Sequence, residues 1–200
     1  METKTYSQGE NPTGTVGYII GVLMNLLQTN IYFKIVRKSK VPLGSTLLDL
    51  GCGGGAFIHK MVKNNCVKKA CGIDHSDKMI GLSTGKNKRF INEGLVDIRQ
   101  ASVAHLPFND TIFDTATALE TIQFWPVLET SIREVGRVLK KNGHFIIINR
   151  FPEENRKWYS KMQLKNTSEY EHMLTQCGFT VNKIDKTQKR GWIIIFSEKK

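Results

Sequence analysis

The residues best suited to chemistry gather in one stretch, Leu47-Leu48-Asp49-Leu50-Gly51-Cys52-Gly53-Gly54-Gly55-Ala56-Phe57. Gly51, Gly53 and Ala56 fit the spacing G-x-G-x-x-[GA], and an acid, Asp74, follows 23 residues after Gly51. Glycines at such a turn let the backbone bend tightly and let a ligand lie against it. An acid at the end of the next strand accepts hydrogen bonds from ribose hydroxyls. The pair predicts a site for a ligand containing adenosine.

Asp49 selects among such ligands. A nicotinamide or flavin dinucleotide lays its pyrophosphate over this turn, at the helix N-terminus. A carboxylate two residues ahead of the first glycine repels that anion by roughly 4 kcal/mol at 4 Å under an effective dielectric of 20. S-Adenosylmethionine brings no phosphate. It brings an ammonium and a sulfonium, and Asp49 attracts the former directly or through water. The expected cofactor is therefore S-adenosyl-L-methionine, with S-adenosyl-L-homocysteine as its product. His59 and His105 have no visible partner and read as surface residues rather than catalysts. Phe124, Trp125, Phe151 and Trp158 either line an acceptor pocket or pack in the core. The cysteines at 52, 66, 71 and 177 include no C-x-x-C pair, so neither a metal site nor a redox motif is expected.

Short apolar runs alternating with segments of helical period must position these groups. TLLDLG (46–51), KKACGID (68–74), GLVDIRQAS (94–102), IFDTATAL (112–119) and HFIIINR (144–150) read as five strands. Helices are expected after the first two strands. Another follows Pro126, with Leu128, Ile132, Val135 and Leu139 on one face and Asn142-Gly143 at its end. The connection between the third and fourth strands is too short for a full helix. Ser168 and Glu171 have capping-box spacing ahead of a short helix, and FTVNKID and WIIIFSE flank the turn KTQKRG as a hairpin. This alternation predicts an α/β fold, a mostly parallel sheet closed by a C-terminal antiparallel hairpin.

The 200 residues are 40% hydrophobic and 24% charged, which suits a globular chain with one main domain. The formal charge of +11 is spread along the chain. Lys/Arg exceed Asp/Glu by five to two in residues 1–48, thirteen to ten in 49–149 and eleven to six in 150–200. A basic surface attracts nucleic acid, anionic lipid or acidic metabolites without choosing among them, so a nucleic-acid partner is possible but not favoured. The run VGYIIGVLMNLL (16–27) is too short to span a membrane and lacks the flanks of a signal peptide. A reduced, cytoplasmic setting is expected. Residues 1–40 are expected to form an N-terminal helical segment, with residues 6–36 as a lid over the acceptor side. A helix fixed on the sheet and a membrane-surface element remain alternatives. Residues 41–200 would form the cofactor-binding domain.

The ordered set D-L-G-C-G-G-G (49–55), G-I-D-H-S (72–76), L-P-F-N-D-x-x-F-D (106–114) and R-E-V-G-R-V-L-K-K-N-G (133–143) resembles class I S-adenosylmethionine-dependent methyltransferases. More narrowly, the chain is similar to the small methyltransferases of type 11, from about Val41 to Arg150. The resemblance implies a Rossmann-like class I methyltransferase fold. It implies that Asp49, Gly51 and Gly53 hold the methionine part of the cofactor, with Cys52 contributing backbone. Asp74 would bind both ribose hydroxyls, and His75 would lie beside the adenine, near Met79. Ser102 and Val103 match the adenine-edge position, although many relatives carry an acid where Ser102 stands. Leu119 and Glu120 would face the transferable methyl, with Glu120 either a general base or an acceptor-binding or helix-capping carboxylate. The implied activity is methylation of a small-molecule acceptor. RNA or protein methylation, and a cofactor-binding regulator without turnover, are the alternatives. No [DN]-P-P-[YF] tetrapeptide follows the fourth strand.

Overall fold

The computed structural model describes residues 28–39, 41–42, 44–151, 154, 159–187 and 191–200. Most of the expected lid, Trp158 and part of the KTQKRG turn lie outside them. Seven strands form one sheet: β1 (Ser45–Leu50), β2 (Val67–Asp74), β3 (Val96–Gln100), β4 (Phe113–Leu119), β5 (Leu139–Arg150), β6 (Phe179–Thr187) and β7 (Trp192–Lys199). Their spatial order is β3-β2-β1-β4-β5-β7-β6. β1 to β5 run parallel, whereas β7 is antiparallel to both β5 and β6. The order reverses between β1 and β4, and sheets of this kind bind ligands in the crevice at that reversal.

Helices α1 (28–38) and α2 (Ala56–Lys63) cover one face, where Tyr32, Phe33 and Val36 join Phe57, Ile58 and Met61 over Leu47, Ile146 and Ile148. Phe90 and Ile91 of α3 (Asp77–Asn92) pack onto the same layer. Helices α4 (Leu128–Val138) and α5 (Thr167–Gln176) cover the other face with Ile132, Val135, Tyr170 and Leu174.

Two expected boundaries move. The helix after Pro126 ends at Val138, and Leu139 already pairs with Phe113 as the first residue of β5. Thr115 then pairs with His144, so residues 140–143 bulge out of the ladder, with Asn142 at φ 60°. Leu139 is buried in either conformation, which is why the helical period runs on through it. At α5, Asn166 rather than Ser168 caps the helix. Its side-chain oxygen accepts from the Glu169 amide at 2.9 Å, and its NH₂ donates to the Glu169 carboxylate at 2.7 Å.

The irregular β3–β4 connection is held by α4. The Arg137 guanidinium donates to the carbonyls of Leu106 and Phe108 and pairs with Asp110. Glu134 accepts from the Leu106 amide at 2.9 Å, and its hydrogen bonds from Arg137 hold its carboxyl below the usual range. The L-P-F-N-D and R-E-V-G-R motifs are thus two halves of one clasp.

Candidate active site

The glycine turn leaves β1 at its C-terminal end. Gly51, Gly53 and Gly55 have φ of 76°, 52° and 72°, a left-handed backbone that glycine adopts without strain. The amides of Gly51 and Cys52 both bond the Ile73 carbonyl, at 2.9 and 2.8 Å, locking the turn to β2. A Cβ on Gly51 would lie 2.6 Å from Thr121 Cγ2, while Thr121 Oγ1 donates to the Leu50 carbonyl at 2.9 Å. The ends of β1 and β4 are therefore clipped together just where the crevice opens.

Asp74 ends β2 and joins two loops. One carboxylate oxygen accepts from the Gly53 amide at 3.0 Å and the other from the Ser76 amide at 2.9 Å. Each oxygen keeps a lone pair for a further donor, as recognition of a diol requires. His75 is exposed, with Nδ1 3.6 Å from the Asp74 carboxylate, and Gln100 of β3 donates to its carbonyl at 3.1 Å. Met79 is buried in the first turn of α3. Ala101 N bonds the Asp74 carbonyl at 3.1 Å, which brings the β2 and β3 ends together. Next in the chain come Ser102, exposed with its hydroxyl accepting from Ala104 N, and Val103, buried in the core.

Asp49 is 2% exposed. Sheet register sets Thr117 of β4 directly opposite, and its hydroxyl donates to the Asp49 carboxylate at 2.7 Å. Burial pushes the Asp49 carboxyl up to about 7; the Thr117 bond opposes the rise and the nearby Asp74 adds to it. No lysine or arginine among the described residues offsets it. A glycine turn flanked by two carboxylates fits a cationic ligand and disfavours a pyrophosphate. The donor set therefore suits S-adenosylmethionine.

Glu120 follows Leu119 of β4, which is half-buried against the α1–α2 layer. It is a non-glycine residue at φ 57°, a conformation that costs energy and recurs at functional sites. Its Oε2 accepts from Arg150 Nε at 3.1 Å, whereas its Oε1 is buried without a hydrogen bond of normal geometry. Burial raises its carboxyl, opposed by the Arg150 charge and by the Tyr32 hydroxyl and Trp192 indole. Burial and the Glu120 charge in turn hold the Tyr32 hydroxyl well above the usual phenol range. The Arg150 guanidinium lies 5.8 Å from the Trp192 ring, and the Tyr32 ring 5.5 Å from it. Tyr32, Thr117, Thr121, Arg150 and Trp192 were not singled out by the sequence patterns, because contacts between elements far apart in the chain carry no local signal.

Other candidates lie apart. Trp125 stacks 6.3 Å from Phe145 in the core, and Phe151 packs partly buried against the same cluster. His59 is half-buried, 5.2 Å from the Phe90 ring, and His105 is exposed. No group of His, Cys, Asp and Glu among the described residues could hold a metal ion.

Comparison with known proteins agrees with this geometry. The chain is 27% identical over 141 residues to a sterol 4-C-methyltransferase of Caenorhabditis elegans, an alignment covering 66% of this chain and 41% of that protein. It is 30% identical over 111 residues to a demethylmenaquinone methyltransferase of Lactobacillus johnsonii, covering 55% and 46%. The chain thus spans less than half the length of these two relatives. Among solved structures it matches the fold of geranyl diphosphate C-methyltransferase from Streptomyces coelicolor, with a TM-score of 0.74 and 14% identity over 86% of this chain and 76% of that one. The model of a methyltransferase domain family matches residues 48–147, the stretch from β1 through β5 that carries the glycine turn, Asp74 and Glu120. On that match the chain belongs to the S-adenosylmethionine-dependent methyltransferases of type 11.

Proposed function

We propose that this chain transfers a methyl group from S-adenosylmethionine to a small, largely apolar acceptor. The observation that carries the reading is the pair of carboxylates, Asp49 and Asp74, set on either side of the Gly51–Gly55 turn, with no offsetting cation at Asp49 among the described residues. When bound there, the cofactor supplies an electrophilic methyl group. The remaining work falls to this chain's own residues. Gly51 and Gly53 give the ligand access to the backbone, and Asp74 orients the ribose. On the acceptor side, Leu119 offers apolar surface, and Glu120 Oε1 accepts a hydrogen bond or proton from an acceptor hydroxyl. Positioning of this kind supplies much of the rate of a displacement reaction.

An apolar acceptor is supported by the substrates named for two relatives, a sterol and demethylmenaquinone. A reducing, cytoplasmic setting is supported by four free thiols, Cys52, Cys66, Cys71 and Cys177. The test is calorimetry with S-adenosylhomocysteine and NAD, followed by a labelled-methyl assay over a library of lipids, isoprenoids and polar metabolites. Binding of the sulfur ligand and transfer to an apolar acceptor are expected. Binding of NAD alone would sink the reading, and transfer only to RNA or protein pools would replace its acceptor.

A further inference from the structure

The fold divides charge unevenly between the two helical layers of the sheet. Helices α1, α2 and α3 carry nine Lys/Arg against one Asp, whereas α4 and α5 carry two Arg against four Glu. The two arginines of the second layer are bound up in pairs, Arg133 with Glu129 and Arg137 with Glu134 and Asp110. In the first layer only Arg89 has an acidic partner among the described residues, Glu93 at 2.8 Å. Lys34, Arg37, Lys63, Lys78, Lys86 and Lys88 are exposed there.

We propose that the outer face of the α1–α2–α3 layer docks on an anionic lipid surface. Seven of its nine cations are lysines, point charges on flexible stems that suit a diffuse field of headgroups. Binding to single-stranded nucleic acid relies on aromatic platforms, and the exposed large hydrophobic residues among those described are Ile112 and Val127, neither of them aromatic. No described helix is long and apolar enough to cross a membrane.

The test is co-sedimentation with phosphatidylcholine vesicles containing about 30% phosphatidylserine at about 0.1 M salt, against pure phosphatidylcholine vesicles. Binding should require the anionic lipid. The triple variant Lys63→Glu, Lys86→Glu, Lys88→Glu should lose at least about tenfold in partitioning. A control with the same charge change elsewhere, Lys141→Glu, Lys186→Glu, Lys200→Glu, should stay within about twofold of the parent. Equal losses in the two triples, or no vesicle binding at all, would overturn the proposal. So would tighter binding to a labelled single-stranded RNA that the layer triple abolishes. S-Adenosylhomocysteine affinity, read by calorimetry, should be unchanged in both triples, which separates docking from the proposed activity. If the layer triple does not fold, the Gln triple at the same positions gives the same reading.

Discussion

With its carboxyl held at about 7, Asp49 is half protonated near neutral pH when nothing cationic faces it. An ammonium is stabilised only by the carboxylate. S-Adenosylhomocysteine should therefore release a proton on binding at pH 6.5 and bind more tightly as pH rises through about 7. Titrations in buffers of different ionisation enthalpy read that proton; identical heats in all of them would reject it. Stability runs the other way. The folded value lies above the unfolded 3.8, so the native state binds the proton more tightly and stability falls as pH rises from about 4 to about 7. Asp49→Asn should gain about 1–4 kcal/mol over the parent at pH 8 in urea melts, with the gain shrinking as pH falls and vanishing only below about pH 4, while losing cofactor affinity. Glu120→Gln should divide rate from affinity, lowering methyl transfer about tenfold or more with the S-adenosylhomocysteine Kd nearly constant. A matching loss of affinity would assign Glu120 to the cofactor instead. Asp49, the glycines and Asp74 were legible because their spacing is local. The surroundings of Glu120 were not, because Tyr32, Arg150 and Trp192 arrive from a helix and two strands far along the chain.

Tight turns divide into those that need only backbone freedom and those that also need space. Gly94 has φ 69° and nothing within 4 Å of an added Cβ, whereas Gly51 has φ 76° and Thr121 in the way. Gly94→Ala should cost about 1–2 kcal/mol, and Gly51→Ala about 2–4 kcal/mol together with cofactor affinity. Equal costs in urea melts would show that Thr121 moves aside freely. Strand and helix identities were readable from apolar period, but their ends were not. Ser168–Glu171 and Asn166–Glu169 share one capping spacing, and only the geometry of the entering chain picks Asn166. Leu139 satisfies both the helix face and the strand, so burial alone could not mark where α4 stops.

At the scale of the molecule, the layer that bears the positive charge also carries its packing inward. Val36 is fully buried and Phe33 7% exposed, beneath the same α1 whose outer face shows Lys34, Arg37 and Lys38. Phe33→Ala should cost about 3–5 kcal/mol in a reversible melt if α1 is part of the core. A change under about 0.5 kcal/mol, typical of surface substitutions, would mark residues 28–38 as a detachable cover. The segregation of charge between layers was invisible along the chain, since it depends on which helices share a face of the sheet.

β7 follows β6 in the chain yet sits between β6 and β5. During synthesis, the edge of β5, with Phe145, Ile146, Ile147 and Ile148, must wait for a strand that begins about 40 residues later. At ~5–20 residues per second that is roughly 2–8 s of open ladder, with every unmatched amide and carbonyl able to recruit a neighbouring nascent chain. The yield of native protein in a cell should therefore depend on translation speed between Arg150 and Trp192 and on chaperone supply, a vulnerability that the finished sheet conceals.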